Sequence, residues 1–160
     1  MRFWRAHGLG NDYLVLETGE TLTPALVRAV CDRNTGVGSD GILEPIHESP
    51  WRVRIHNPDG SEAEKSGNGL RIFARWLVDR RGAASVFHVE TAGGRVCCHV
   101  GEVVRVEMGA ARIIGVETLG GLEVTRVDVG NPHAVHLGIP EDWPLRGATC
   151  LLYTSPSPRD

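Results

Sequence analysis

The chain has 160 residues, enough for one domain or for one domain and part of a second, with 17 basic and 20 acidic residues and a formal net charge of -3. A hydrophobic content of 41% excludes a largely disordered chain, and the slightly negative charge argues against a basic nucleic-acid-binding surface. A helix that spans a bilayer needs about 20 consecutive apolar residues, and no apolar stretch of this sequence approaches that length. No signal peptide is apparent. We therefore expect a cytoplasmic protein with no membrane or nucleic-acid partner.

The first third of the chain alternates strand and helix signals. Strands are predicted at 2–5 and 13–17, and a glycine-rich, irregular turn at 7–12 joins them. Thr23 is a preferred N-cap residue before a proline, and the apolar residues that follow predict a short amphipathic helix at 24–33.

The middle of the chain contains a second, longer helix signal. A glycine-rich turn at 36–41 precedes strands predicted at 42–47 and 51–56, and helix 69–81 follows the turn 57–61. The turn 36–41 has the sequence pattern G-x-G-x-x-G, but it follows a helix and precedes a strand. In a dinucleotide-binding site the order of these two elements is the reverse, strand before the turn and helix after it. Apolar residues lie on more than one side of helix 69–81, so we expect a sheet to enclose it.

The remainder of the chain shows strand signals only. The predicted strands are 86–91, 95–100, 103–108, 112–117, 123–129 and 133–137. The fold class is therefore α+β and rich in strand. Residues 151–160 show no periodicity, and we expect a disordered tail there.

The cysteines and histidines show no metal-binding spacing. Cys31, Cys97, Cys98 and Cys150 form no C-x-x-C pair, so we expect neither structural disulfides nor a zinc site. His133 and His136 lie in a predicted strand with no carboxylate or cysteine at ligand spacing. We expect no metal site.

Turn asparagines are the feature most suggestive of function. Three Gly-Asn pairs and one further turn residue supply them: Asn11, Asn57, Asn68 and Asn131. One turn asparagine is usually structural, but several together predict a polar cradle, because an amide can donate to a carboxylate and accept from an ammonium group. Ser66 precedes the second helix, where it is either an N-cap or a group beside an anion bound at the helix N-terminus.

Five segments resemble diaminopimelate epimerases in their order and spacing. They are residues 7–13, 32–41, 57–61, 67–71 and 130–133. The resemblance runs from residue 1 to about residue 145, a little over half of a typical member. It implies a first domain at 1–111, the start of an incomplete second domain at 112–149, and a tail unlike the family at 150–160.

The resemblance implies an isomerase that interconverts LL- and meso-diaminopimelate, for lysine and peptidoglycan synthesis, without pyridoxal phosphate or any other cofactor. It also implies a mixed and antiparallel sheet wrapped around a central helix in each of two pseudo-symmetric domains. The amino-acid substrate would lie between the domains, and two cysteines would transfer the α-proton from opposite sides. A homodimer of the full-length protein is compatible with the resemblance.

Matching the motifs residue by residue implies that Asn11, Asn57, Gly67, Asn68 and Asn131 contact the substrate. Ser66 stands at the family's first catalytic cysteine, although a serine needs an adjacent base to ionise. The second cysteine, in an Ala-Cys-Gly motif, does not occur in the 160 residues, so we expect the chain to be inactive alone. The alternatives are a racemase or hydroxyproline dehydratase of the proline-racemase kind, and a non-catalytic amino-acid-binding relative.

Overall fold

The computed structural model divides the chain into two compact units, Met1–Met108 and a second that begins at Gly109. The predicted domain limits at 111 and 149 stay predictions, and the predicted tail lies outside the described residues. The structure describes residues 1–19, 21–48, 50–119, 121–130 and 132–136.

Eight strands and two helices make up the described part of the first unit. They are β1 (Arg2–Gly8), β2 (Asn11–Thr18), α1 (Pro24–Cys31), β3 (Ile42–Glu48), β4 (Trp51–His56), β5 (Glu62–Ala63), α2 (Gly67–Arg81), β6 (Val86–Thr91), β7 (Gly94–Val100) and β8 (Val104–Glu107). The sheet order is β1-β2-β3-β4-β6-β7-β8, and β5 pairs with β4. The two parallel pairs, β2 with β3 and β4 with β6, are connected through α1 and α2, as parallel neighbours require a crossover.

Helix α2 is the centre of this unit. It contacts β1 and β2 at one end of the sheet order and β7 and β8 at the other, so the sheet curls around it. Leu70, Phe73, Ala74 and Leu77 are completely buried, and Trp76 is 1% exposed. The prediction of an α+β fold with a helix enclosed by a sheet is confirmed.

Strand β2 is buried on both faces, because α2 packs against one face and α1 packs against the opposite face. Tyr13 and Val15 belong to the core around α2, whereas Leu14 and Leu16 pack with Val27 of α1. Successive side chains of a strand point to opposite faces, so Asn11 shares the α2 face with Tyr13 and Val15. This alternation directs Asn11 towards the α2 side of the sheet.

Both helices differ from the prediction by two residues at one end. Helix α1 ends at Cys31 rather than residue 33, because the Asp32 carboxylate accepts hydrogen bonds from the next turn's backbone. Helix α2 begins at Gly67 rather than residue 69, because Ser66 is its N-cap and the Ser66 side chain accepts a hydrogen bond from the Gly69 amide.

The turn between β1 and β2 is tighter than predicted. The strands extend to Gly8 and Asn11, which pair, and only Leu9 and Gly10 connect them. Their φ angles are 56° and 85°, and two positive angles are typical of a type I′ hairpin turn.

The second unit contains an antiparallel three-stranded sheet. Its order is β11-β10-β9, from β9 (Arg112–Leu119), β10 (Leu122–Asp128) and β11 (Pro132–Val135). Among the described residues of the whole chain, no helix is both long and apolar enough to cross a membrane.

Candidate functional site

The turn of the β1–β2 hairpin lies against the N-terminus of α2. Gly8 pairs with Asn11 across the hairpin, and a Cβ atom added at Gly8 would lie 3.7 Å from the Asn68 Cβ. This close approach brings two of the predicted substrate contacts, Asn11 and Asn68, to the same end of the sheet.

Ser66 joins the same region through a hydroxyl contact with β2. Its Oγ accepts from the Gly69 amide at 3.1 Å and lies 3.0 Å from the Tyr13 hydroxyl. Tyr13 is 5% exposed, so the contact is held by a buried side chain. The N-cap interpretation of Ser66 is correct, and its hydroxyl also has a second polar partner.

A glycine after Asp40 allows the Tyr13 ring to reach this position. A Cβ atom at Gly41 would lie 2.6 Å from Tyr13 Cε1 and 2.5 Å from the His56 carbonyl oxygen. Because real Cβ contacts are longer, only glycine fits between the ring and the end of β4 without movement. Gly41 is thus a packing requirement of the site, in a turn that the sequence identifies only as a connection.

Asn11 has one satisfied and one unsatisfied side-chain atom. Its Nδ2 donates to Asp40 Oδ2 at 3.0 Å. Its Oδ1 is buried and has no hydrogen-bond partner among the described residues. An unpaired buried carbonyl oxygen costs free energy, and an ammonium group is a donor that would satisfy it.

An ion-pair network fixes the strand that carries Asn11. The Asp12 carboxylate accepts from Arg5 and Arg33, each at 2.6 Å, and Arg33 also donates to Asp40 at 2.7 Å. The Asp12 amide donates to Asp40 Oδ2 at 3.0 Å. Burial alone would raise the pKa of Asp12, but the two guanidinium groups outweigh it and lower the pKa, so the carboxylate is ionised at neutral pH.

Tyr13 does not act as a base in this site. Burial raises its pKa above the usual value of 10.0, more than the hydrogen bond with Ser66 lowers it. The phenol therefore keeps its proton at neutral pH and can donate it to a charged group at position 66. With the Gly69 amide and the α2 N-terminus, it makes position 66 favourable for an anion.

Of the other residues predicted to contact the substrate, two lie at the N-terminus of α2. A Cβ atom at Gly67 would meet nothing within 4 Å, so the first residue of α2 borders open space. Asn68 is 6% exposed, and its Oδ1 accepts from Arg71 at 3.1 Å. Asn57 donates to Ser61 Oγ at 3.0 Å within its own turn. Asn131 lies outside the described residues.

Sequence reasoning missed Asp12, Tyr13, Arg33 and Asp40. Asp12 and Tyr13 directly follow Asn11, which is a weak signal that the segment is more than a turn. The partners of these residues are far away in sequence: Asp12 and Asp40 are 28 positions apart, and Tyr13 and Ser66 are 53 positions apart. Only the folded sheet reveals them.

Comparison of the sequence with protein families gives a match over most of the first unit. The sequence profile described as diaminopimelate epimerase matches residues 3–114. Diaminopimelate epimerase 2 of Nostoc sp. is 50% identical over 119 residues, which cover 68% of this chain and 42% of that protein. Diaminopimelate epimerase of Thermobifida fusca is 38% identical, with coverage of 83% and 58%. The chain thus spans about half the length of these relatives.

Solved structures share the fold at low sequence identity. A hydroxyproline epimerase from Agrobacterium vitis has a TM-score of 0.64 and 13% identity, and covers 84% of this chain and 50% of its own. A predicted epimerase from Pseudomonas aeruginosa has a TM-score of 0.62 and 16% identity, with coverage of 86% and 63%.

Proposed function

The chain belongs to the diaminopimelate epimerase family, and from this we propose that the whole protein interconverts LL- and meso-diaminopimelate without a cofactor. The reaction would move one proton at an α-carbon between two acid-base groups. The first unit would supply one of these groups and half of the substrate cradle. The epimerase structures that share the fold are too distant in sequence to favour another substrate.

The unpaired Oδ1 of Asn11 is the observation that carries the proposal. This oxygen is buried, and it belongs to the hairpin whose Gly8 lies against Asn68, the second residue of α2. An amino acid bound here would place its ammonium group at Asn11 Oδ1. Its carboxylate would face the free backbone amides at the start of α2, where the helix dipole is positive.

Ser66 would stand on one side of the substrate's α-carbon. Its Oγ accepts a hydrogen bond from the Gly69 amide and lies 3.0 Å from the Tyr13 hydroxyl. An anion at this position would therefore be stabilised. Among the described residues, the hydrogen-bonding partners of Ser66 Oγ are the Gly69 amide and the Tyr13 hydroxyl, and neither takes its proton, because Tyr13 is itself protonated at neutral pH. The position is therefore suited to a thiolate, and a serine there supports proton transfer weakly.

The other contacts complete the proposed cradle. Gly67 and Asn68 would bind the carboxylate, and Asn57 and Asn131 would bind the rest of the substrate. The two-base reaction also needs a group opposite Ser66, and the family's Ala-Cys-Gly segment does not occur in these 160 residues. We therefore expect this chain alone to exchange no α-proton.

The test joins this chain, cut before residue 112, to the second domain of a family member. Deuterium uptake at the α-carbon of LL-diaminopimelate is followed by NMR for the unaltered fusion, Ser66→Cys and Ser66→Ala. The cysteine variant should be much faster than the unaltered fusion, because a helix-terminal thiolate forms near neutral pH, and the alanine variant should be slowest. Equal rates in all three would remove Ser66 from the mechanism.

Asn11→Ala in the Ser66→Cys fusion tests the cradle separately. It should raise KM by about tenfold, because a hydrogen bond to a charged group contributes about 1.5 kcal/mol or more. Asn34→Ala is the matched control, since Asn34 is an exposed turn asparagine outside the site. A KM unchanged by Asn11→Ala would contradict the assignment of the ammonium group.

Two properties of the whole protein stay predictions. Sedimentation of the full-length protein would show whether it is a homodimer, and cell fractionation would test the cytoplasmic location.

A further inference from the structure

Three metal-ligating side chains meet on one face of the β7–β8 hairpin. Cys97 and His99 are two residues apart in β7, so they share a face. The strand register places Glu107 of β8 directly opposite Cys97. Cys98, between the two β7 residues, points to the core and is completely buried.

The ligand atoms already converge on a common point. His99 Nε2 lies 3.5 Å from Cys97 Sγ and 2.8 Å from Glu107 Oε1. All three ligand atoms lie within 4.8 Å of one another. A tetrahedral zinc ion with Zn–N and Zn–S bonds of about 2.1 and 2.3 Å separates nitrogen and sulfur by about 3.6 Å. The Cys97–His99 distance therefore fits a shared zinc ion.

The three side chains can adjust around an ion. The side chain of His99 is 42% exposed and that of Glu107 is 66% exposed, so the histidine–carboxylate hydrogen bond can open to admit a metal. Cys97 is half-buried, and its backbone is held by pairing on both sides, with β6 and with β8. Three protein ligands leave the fourth coordination position of a tetrahedral zinc ion to water.

We propose that Cys97, His99 and Glu107 form a Zn²⁺ site on the outer face of this hairpin. Thiolate, imidazole and carboxylate together suit zinc, whereas Mg²⁺ and Ca²⁺ prefer oxygen ligands alone. Spacing along the chain does not predict the site, because Glu107 enters it only through the strand register. The site is independent of the proposed epimerase function, since it lies on β7 and β8 rather than on the β1–β2 hairpin.

Zinc bound here would connect β7 to β8, the strand at the end of the sheet order. Because the complete site exists only in the folded chain, bound zinc should stabilise that state. Thermal unfolding therefore gives a second readout besides direct binding.

The experiment uses the 160-residue chain with Cys150→Ser, under reducing conditions, so that the thiols of the described residues alone remain. Co²⁺ is added as a spectroscopic probe, and Zn²⁺ affinity is measured by competition. We expect one equivalent of Co²⁺ to give a near-ultraviolet sulfur-to-cobalt band that Zn²⁺ abolishes. Zn²⁺ should also raise the melting temperature.

The variants are Cys97→Ser, His99→Gln and Glu107→Gln, with Glu102→Gln as matched control. Glu102 is an exposed glutamate in the turn of the same hairpin, so its substitution makes the same charge change. Cys97→Ser should abolish the sulfur band, and each ligand substitution should weaken Zn²⁺ binding by at least about tenfold, since losing a group that only orients a ligand costs about 10- to 100-fold. Glu102→Gln should bind as the parent does.

Circular dichroism identifies any variant that fails to fold. Because three ligands are substituted separately, the proposal can still be tested with the other variants if one of them does not fold. A folded Cys97→Ser protein that keeps the sulfur band would overturn the proposal. So would Zn²⁺ affinity that falls equally in Glu107→Gln and Glu102→Gln, or the absence of any sulfur band in the parent.

Discussion

Position 66 shows how the surroundings of one atom decide its chemistry. Ser66 Oγ lies at a helix N-terminus, accepts a backbone amide and is 3.0 Å from a buried phenol. Each of these features stabilises negative charge and none removes a proton. A group that ionises near neutral pH would therefore be more acidic here than in water, whereas a hydroxyl stays protonated.

A thiol at position 66 should consequently have a lowered pKa. In Ser66→Cys we expect a pKa below the usual value of about 8.5, and adding Tyr13→Phe should raise it by removing one donor to the thiolate. The measurement is the pH dependence of alkylation of the peptide that carries position 66, quantified by mass spectrometry.

Tyr153→Phe is the control for this experiment, because it removes the only other tyrosine of the chain and lies outside the described residues. If the thiol has an ordinary pKa that Tyr13→Phe does not change, the phenol and the helix terminus do not act on this position.

The β1–β2 hairpin is the element that connects turn geometry to the site. Its two-residue turn places Gly8 against Asn68, and Asn11 faces the α2 side of the sheet. The ion pairs of Asp12 hold the strand that carries Asn11 in place. Leu9 has a φ of 56° although it is not a glycine. A left-handed backbone is strained for leucine, and with 64% of the residue exposed, packing recovers little of that cost.

Leu9→Asn should therefore stabilise the first unit. Asparagine tolerates a left-handed backbone and is preferred before glycine in type I′ turns, so we expect a gain of about 1 kcal/mol in the free energy of unfolding. Urea denaturation followed by tryptophan fluorescence measures the change.

Val103→Asn is the matched control, because Val103 is 69% exposed in another hairpin turn and has no positive φ. An equal gain in both variants would show that loss of exposed apolar surface, rather than relief of backbone strain, is responsible.

The two units differ in how well they cover their apolar residues. The first unit encloses α2, with Phe73 completely buried. In the second unit, β9 lies at one end of the described three-stranded sheet, and Ile113 and Val116 on it are 73% and 63% exposed. Exposed apolar side chains on a strand with an open edge favour association with another chain.

We therefore expect the 160-residue chain to self-associate, and Ile113→Thr combined with Val116→Thr to reduce this association. Sedimentation velocity over a range of concentrations measures it. The control combines Val37→Thr with Val103→Thr, two valines of the first unit that are 52% and 69% exposed. A monomeric parent at all concentrations, or equal suppression by the control pair, would show that β9 is not the cause.

The sequence by itself determined the features that depend on neighbouring residues. Helix periodicity, the Thr23 and Ser66 caps, alternating strands and the five family segments all arise from short stretches of chain, and they predicted the α+β class and the enclosed helix. They also located the N-terminus of α2 to within two residues and gave an N-cap as one of two roles for Ser66.

The tertiary structure alone decided which distant groups meet. The contacts of Tyr13 with Ser66 and of Asp12 with Asp40, and the pairing of Cys97 with Glu107, depend on strand register and on the curl of the sheet around α2. Moving a strand by one residue would turn all of its side chains to the other face. Such pairings follow from burial of the whole core, which no short segment of the sequence encodes.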